Sequence, residues 1–274
     1  MQSFITLPVF LLSIAFYISP VLNEVSVSVN GGIEFVLVDP LGRREGIDPI
    51  TNQRYREINN SYGEFSVDSE DPDVDPPEPI NEFMTHEPSD GLYRLTLYGT
   101  KVARYRLFIT VFSQDKGQGI DTYGLIDSNQ VRVLEFNYSS DSTMPFVVKK
   151  LVTATGLRED LSNCFKLGFL GGRPLYRELS QKVNRIDKRF EKKDSSGAHK
   201  ELERLAKELK KVWEETERHE KRKRTPSRFV TTEAYQILNE DITILMSSFS
   251  PRKHHKGDDD KKDRRNNDQR GDRS

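Results

Sequence analysis

The run from Ser89 to Ser113, SDGLYRLTLYGTKVARYRLFITVFS, leaves this chain few structural options. Tyr93, Leu95 and Leu97 alternate with Leu92, Arg94, Thr96 and Tyr98. Beyond Gly99, Tyr105, Leu107, Ile109 and Val111 alternate with Arg104, Arg106, Phe108 and Thr110. A period of two sends successive side chains to opposite faces of an extended chain, so each half is a strand with one core face. β-Branched and aromatic residues on both sides of a Gly-containing turn predict an antiparallel hairpin over these residues. The outward residues Arg94, Thr96, Arg104 and Arg106 hold no His, Cys or carboxylate constellation, so the segment reads as structural.

Further strands surround it. Glu24–Val29 alternates strictly, Asn30-Gly31-Gly32 is a turn, and Ile33–Val38 is a second strand. Asp39-Pro40-Leu41-Gly42 then forms a tight turn, with Pro pre-setting φ and Gly supplying a permissive position. Phe65–Val67, Ile120–Leu125 and Val131–Tyr138 supply more. Several short strands punctuated by Pro and Gly predict an antiparallel β-sandwich, Ig-like or jelly-roll-like, over residues 24–150.

From Gly156 the rhythm changes to that of helices. Leu157, Leu161 and Phe165 share one face, and Leu175, Leu179, Val183, Ile186 and Phe190 form a stripe beginning near Pro174. Asp194-Ser195-Ser196-Gly197 breaks that helix and caps the next, which carries Ala198, Leu202, Leu205, Leu209, Val212 and Thr216. Thr231 or Thr232 caps a last helix bearing Ala234, Leu238, Ile242, Leu245 and Phe249. Short helices with single apolar stripes bury them on one another, which predicts a small helical bundle over 155–249. The fold class expected is therefore α+β. Residues 250–274 hold no large apolar side chain and are expected to be a disordered, charged tail.

Charge follows the same division. Between residues 24 and 156 acidic side chains outnumber basic ones 21 to 12, and over the rest basic ones lead 30 to 22. Cys164 is the only cysteine, which excludes an intramolecular disulfide, a zinc knuckle and a CxxC redox pair. Residues 1–23 lack any charge, and Phe4–Leu22 is almost continuously apolar. That length suits a secretory leader or a retained anchor, although no Lys or Arg precedes the run; a buried element of a longer protein is the third reading. The leader reading places the chain outside the cell, secreted or at the cell surface, and the lack of disulfides there favours a bacterial exterior.

Two clusters carry possible binding chemistry. Asp68, Glu70, Asp71, Asp73 and Asp75 are hard oxygen donors of the kind calcium takes, but they lack EF-hand spacing and its turn glycine. Three prolines in that stretch, Pro72, Pro76 and Pro77, favour a solvated connection. Arg222, Lys223, Arg224 and Arg228 form the sharpest basic cluster and would suit an anionic partner. A solvated helix end, with cations opposing the C-terminal dipole, explains the same residues. No aromatic residues interleave with them, so nucleic acid is not expected. The five histidines lie outside any HExxH, nucleophile-elbow or Cys/His context, and no Gly-rich loop follows a strand to open a helix. The chain is expected to have no catalytic activity and no cofactor, calcium aside.

Two segments resemble known modules. Asp39, Pro40, Gly42, Arg43, Gly46, Asp48 and Pro49 fill a D-P-x-G-R-x-x-G-x-D-P pattern, and Gly91, Tyr93, Leu95, Leu97 and Gly99 fill G-x-Y-x-L-x-V-x-G with leucine at the valine position. Together they resemble β-sandwich modules of large secreted bacterial proteins, including pre-peptidase C-terminal-like domains. Leu175–Val183, Gly197-Ala198, Leu202–Val212 and Glu233–Leu238 resemble the FIMAH-type helical domain of secreted enzymes and adhesin-like proteins. The motif that names that domain departs here, reading LERLAKELKKV without its phenylalanine or methionine. The resemblances imply a non-catalytic, cell-surface binding or scaffold module whose partner is an extracellular protein or a polysaccharide. They also leave open an accessory fragment of a larger extracellular hydrolase, or a calcium-dependent adhesion domain. Membrane contact is expected only through the N-terminal segment, if it is retained.

Overall fold

A computed structural model describes residues 23–68, 79–114, 116–222 and 226–248. These residues form a mixed α+β structure of mostly antiparallel sheet with four helices. The strands are β1 (Glu24–Asn30), β2 (Ile33–Val38), β3 (Arg44–Asp48), β4 (Gln53–Arg56), β5 (Ser61–Asp68), β6 (Pro79–His86), β7 (Gly91–Gly99), β8 (Ala103–Ser113), β9 (Lys116–Ile126), β10 (Val131–Tyr138) and β11 (Val148–Leu151). Helix α1 (Ala154–Lys166) follows, then β12 (Leu170–Gly171), α2 (Arg173–Glu191), α3 (Ser195–Glu220), β13 (Phe229–Val230) and α4 (Thr232–Ser247).

One sheet has the order β5-β6-β1-β8-β9 and the other β11-β10-β7-β2-β3-β4, with β12 and β13 pairing separately. Valines and isoleucines meet across β1 and β8, where Val25 lies opposite Val111 and Val27 opposite Ile109. In the second sheet Phe136 of β10 lies opposite Tyr93 of β7, and Leu134 opposite Leu95. β-Branched and aromatic cross-strand pairs of this kind stabilise a ladder by about 0.2–1 kcal/mol each. Val25, Val27, Val29, Leu107 and Ile109 from one sheet and Phe35, Leu37, Leu95, Leu97 and Phe136 from the other enter a single apolar core. Tyr93 stacks on Phe136 at 5.2 Å and donates its hydroxyl to the Ser89 carbonyl, so even its polar end is satisfied.

The hairpin expected over Ser89–Ser113 does not form. Both strands exist, with the expected residues inward, but β7 pairs with β10 and β2 while β8 pairs with β1 and β9. The chain crosses from one sheet to the other after Gly99. The Gly99 amide donates to the Gln130 carbonyl, and the Gly99 carbonyl accepts from the Asn129 amide, so the backbone is bound to the β9–β10 turn. A Cβ at Gly99 would stand 2.1 Å from the Asp127 carbonyl oxygen. Alternation is the same whether two consecutive strands lie side by side or face each other across a core, so periodicity alone does not choose between them.

The D-P-x-G-R stretch is a turn that closes on itself. Asp39 Oδ1 accepts from the amides of Leu41 and Arg43 at 2.9 and 2.8 Å, and its Oδ2 accepts from Arg43 Nε at 2.7 Å. Asp48 repeats the device, accepting from the amides of Ile50 and Thr51. Gly46 has φ 123° and passes so close to Phe35 that a Cβ would stand 2.0 Å from its carbonyl oxygen. These residues are occupied in shaping the β2–β3 connection.

The helices follow their stripes. Thr153, Asp194 and Thr231 cap α1, α3 and α4 by accepting from Gly156, Gly197 and Ala234, and Pro174 sits in the first turn of α2. Leu157, Leu161, Leu175, Leu179, Val183, Ile186, Leu202, Leu205, Leu209, Leu238, Ile242 and Leu245 share a second core. Leu125 at the end of β9 belongs to that core as well, so the helices are seated on the edge of the first sheet. Among the described residues no helix is long and apolar enough to cross a membrane.

Candidate functional site

Three charged residues stand where the patterns of their own elements call for apolar ones. In β10, Arg132 shares the inward parity with Leu134, Phe136 and Tyr138. In α1, Asp160 lies between Leu157 and Leu161 on the buried face, and in α4, Asp241 adjoins Ile242 on the stripe running from Leu238 to Leu245. Folding brings all three together where the end of the sheet meets the helices, with Lys150 from β11 beside them.

The Arg132 guanidinium forks across two neighbouring carboxylates, reaching Asp160 Oδ1 at 2.7 Å and Glu159 Oε2 at 2.6 Å. The Arg132 and Asp160 side chains are 7% and 3% exposed. Lys150 Nζ donates to Asp241 Oδ1 at 2.6 Å and stands 3.5 Å from Glu240. Gln130 Oε1 accepts from Asn163 Nδ2 at 2.8 Å and from the Asp127 amide at 2.9 Å, anchoring the polar layer to both α1 and the β9–β10 turn. Lys166 of α1 pairs with Asp127 on that turn, and Arg158 of α1 pairs with Asp187 of α2. The cluster floors a cleft of about 510 Å³, lined also by Thr153, Val131 and Val133. A second cleft, about 720 Å³, opens between β9, β11 and α4 and shares Lys150 with the first.

Electrostatics explains how so much charge is tolerated. Burial works against the charged forms of Arg132 and Lys150, but Asp160 with Glu159, and Asp241 with Asp160, outweigh it and hold both cations above their ordinary pKa. Burial, then the charge of Asp160, raises the Asp241 carboxyl well above the usual carboxylate range, with Lys150 opposing. Asp241 Oδ2 is buried without a hydrogen-bond partner. Retaining a proton to higher pH than an ordinary aspartate gives Asp241 a donor to offer towards Asp160.

Paired carboxyls with one retained proton are the starting point of acid–base catalysis. Here each carboxyl is already joined to a cation at 2.6–2.7 Å, and the Asp241 side chain is fully buried. Cys164 sits beneath them, fully buried, and burial raises its thiol far from the thiolate form that makes a nucleophile. Tyr105 borders the cluster from β8, and burial raises its hydroxyl to about 12.

The residues that sequence reasoning singled out lie elsewhere. Asp68 ends β5, and Glu70, Asp71, Asp73 and Asp75 fall outside the described residues, as do Lys223 and Arg224 and the segments 1–22 and 249–274. Arg222 follows α3 in a turn. Arg228 is engaged, meeting Glu178 at 3.1 Å and Glu208 at 3.5 Å. Arg132, Lys150, Asp160 and Asp241 were not singled out. The signal was present, since a charge at a core-facing position of a strand or helix needs a buried partner. Comparison with protein-family models, curated proteins and solved structures finds no match.

Proposed function

We propose that this chain is a non-catalytic binding or scaffold module, secreted or displayed on the surface of a bacterial cell. In this reading the two sheets form an Ig-like or jelly-roll-like sandwich, and the four helices form a small bundle docked on its edge. The single observation that carries the reading is the Arg132–Asp160–Asp241–Lys150 cluster. Its charges are spent on one another at the seam between sheet and helices, an arrangement that fixes the two parts in one relation and leaves no reactive group free. The shared core of the sheets and the separate core of the helices support the architecture. The uncharged, apolar segment 1–23 motivates the extracellular address.

Fractionation of expressing cells, with an antibody against the folded chain, tests the address. Recovery from the envelope or the medium is expected, and protein confined to the cytoplasm overturns that part. Turnover of an envelope polysaccharide or peptide by the purified chain, abolished by Asp160→Asn while the fold is retained, would overturn the non-catalytic part.

A further inference from the structure

Helices α2 and α3 are joined by three residues and lie antiparallel, and a cleft of about 520 Å³ runs along their seam. Every residue lining it is charged: Lys182 and Arg185 from α2, and Glu201, Arg204, Lys207, Glu208 and Lys211 from α3. Five cations therefore face two carboxylates. The carboxylates lie low and are neutralised. Glu201, its side chain 10% exposed, is held by Arg204 at 2.8 Å and Arg185 at 3.4 Å. Glu208 is held by Arg228 at 3.5 Å and Lys182 at 3.9 Å. Lys182 lies as low as Glu208 and pairs with it, whereas Arg185 and Arg204 stand higher and are more than half exposed. Lys207 and Lys211 are exposed and form no ion pair among the described residues. Spacings of three and four place Arg204, Lys207 and Lys211 on one face of α3, about one positive charge per ~5.4 Å turn.

We propose that this furrow binds a linear acidic polysaccharide. The proposal deepens the binding reading above and rests on it, naming the site and the chemical class of the partner. The furrow presents a row of outward cations at regular intervals, which complements a polymer carrying carboxylate or sulfate groups along its chain. Its lining contains no aromatic ring on which a base could stack, so single-stranded nucleic acid gains only its phosphate contacts there. None of the large hydrophobic side chains exposed among the described residues lies on α2 or α3, so the face has nothing to insert into a lipid surface. Sugar hydroxyls also suit the carboxylates on the floor, which accept hydrogen bonds that a phosphate backbone cannot offer.

The experiment uses the full chain, immobilised polygalacturonate and dextran sulfate, and matched single-stranded DNA and anionic phosphatidylglycerol vesicles. The polysaccharides are expected to bind in low salt and to be released as salt rises. Lys207→Ala/Lys211→Ala should weaken that binding about tenfold, as expected for two lost charge contacts. Lys116→Ala/Lys149→Ala, which removes the same charge from exposed positions on the sheets, should leave it unchanged. Both pairs lie at exposed positions, and circular dichroism spectra matching wild type establish that each variant folds. Equal weakening by both pairs, no weakening by the furrow pair, or tighter binding of DNA or vesicles each overturns the proposal. Failure of the wild-type chain to bind either polysaccharide overturns it too, while the surface reading still stands or falls by fractionation.

Discussion

Arg132→Ala tests the seam most directly. The substitution removes the cation that Asp160 meets at 2.7 Å, in a place where the two side chains are 7% and 3% exposed. A pair desolvated to that degree behaves unlike a surface pair. Removing one partner leaves a buried charge uncompensated, at a cost of ~3–5 kcal/mol, whereas an exposed pair contributes ~0–1 kcal/mol. Glu159, 32% exposed, is the smaller part of the loss. At ~2–4 °C per kcal/mol for a structure of this size, the melting temperature should fall by about 10 °C. The assays are thermal melting and urea unfolding, followed by far-UV circular dichroism and by the emission of Trp213, the chain's only tryptophan. Its ring stacks on Tyr235 at 4.3 Å and so reports on the helices. The midpoint should drop with little change in slope. Arg132→Met/Asp160→Leu should recover most of the loss, because it removes both charges and frees Asp241 to ionise beside Lys150. A loss below about 1 kcal/mol for Arg132→Ala, or a double variant no more stable than the single, would refute the buried-pair reasoning.

Two further outcomes follow from the same geometry. The folded chain keeps the proton of Asp241 to higher pH than the unfolded chain, in which an aspartate titrates near ~3.9, so across that window the native state binds more protons. The stability difference between wild type and Asp241→Asn should therefore decline as pH rises from about 4 through the folded pKa and level off above it; a difference that grows with pH contradicts the assignment. Gly46→Ala should lower thermal stability by more than ~1–3 kcal/mol, since the strain of φ 123° is joined by a clash with Phe35. Gly42→Ala, at φ 80° with nothing within 4 Å of a new Cβ, should cost only about 1 kcal/mol; equal melting temperatures for the two variants would show that the close approach is not what Gly46 serves.

The furrow between α2 and α3 was only half visible beforehand. Sequence reasoning finds positive charge concentrated at Arg222, Lys223, Arg224 and Arg228 because those residues are close along the chain. Arg185 and Arg204 are nineteen positions apart. They become neighbours through Glu201 only when α3 folds back on α2. Arg228, in the conspicuous cluster, turns out to be held by Glu178 and Glu208.

What the sequence determined by itself is local. Alternation at Val25–Val29, Tyr93–Leu97 and Tyr105–Val111 settles which side chains face inward, and the stripes of α2, α3 and α4 settle where helices run. Thr153, Asp194 and Thr231 mark helix starts because a side-chain oxygen and an amide three residues on meet through local geometry alone. Tertiary structure decided the rest. The alternating pattern around Gly99 is compatible with a hairpin and with two strands facing one another, and the difference lies in β1 and β10, the partners that the run does not contain. The same holds for Arg132, Lys150, Asp160 and Asp241. Arg132, Asp160 and Asp241 are anomalies within their own elements, and only the packing of β10, β11, α1 and α4 brings opposite charges within 3 Å and compensates their burial. Short-range order follows from neighbours in the chain, whereas charge compensation and strand pairing are set by residues brought together from distant parts of it.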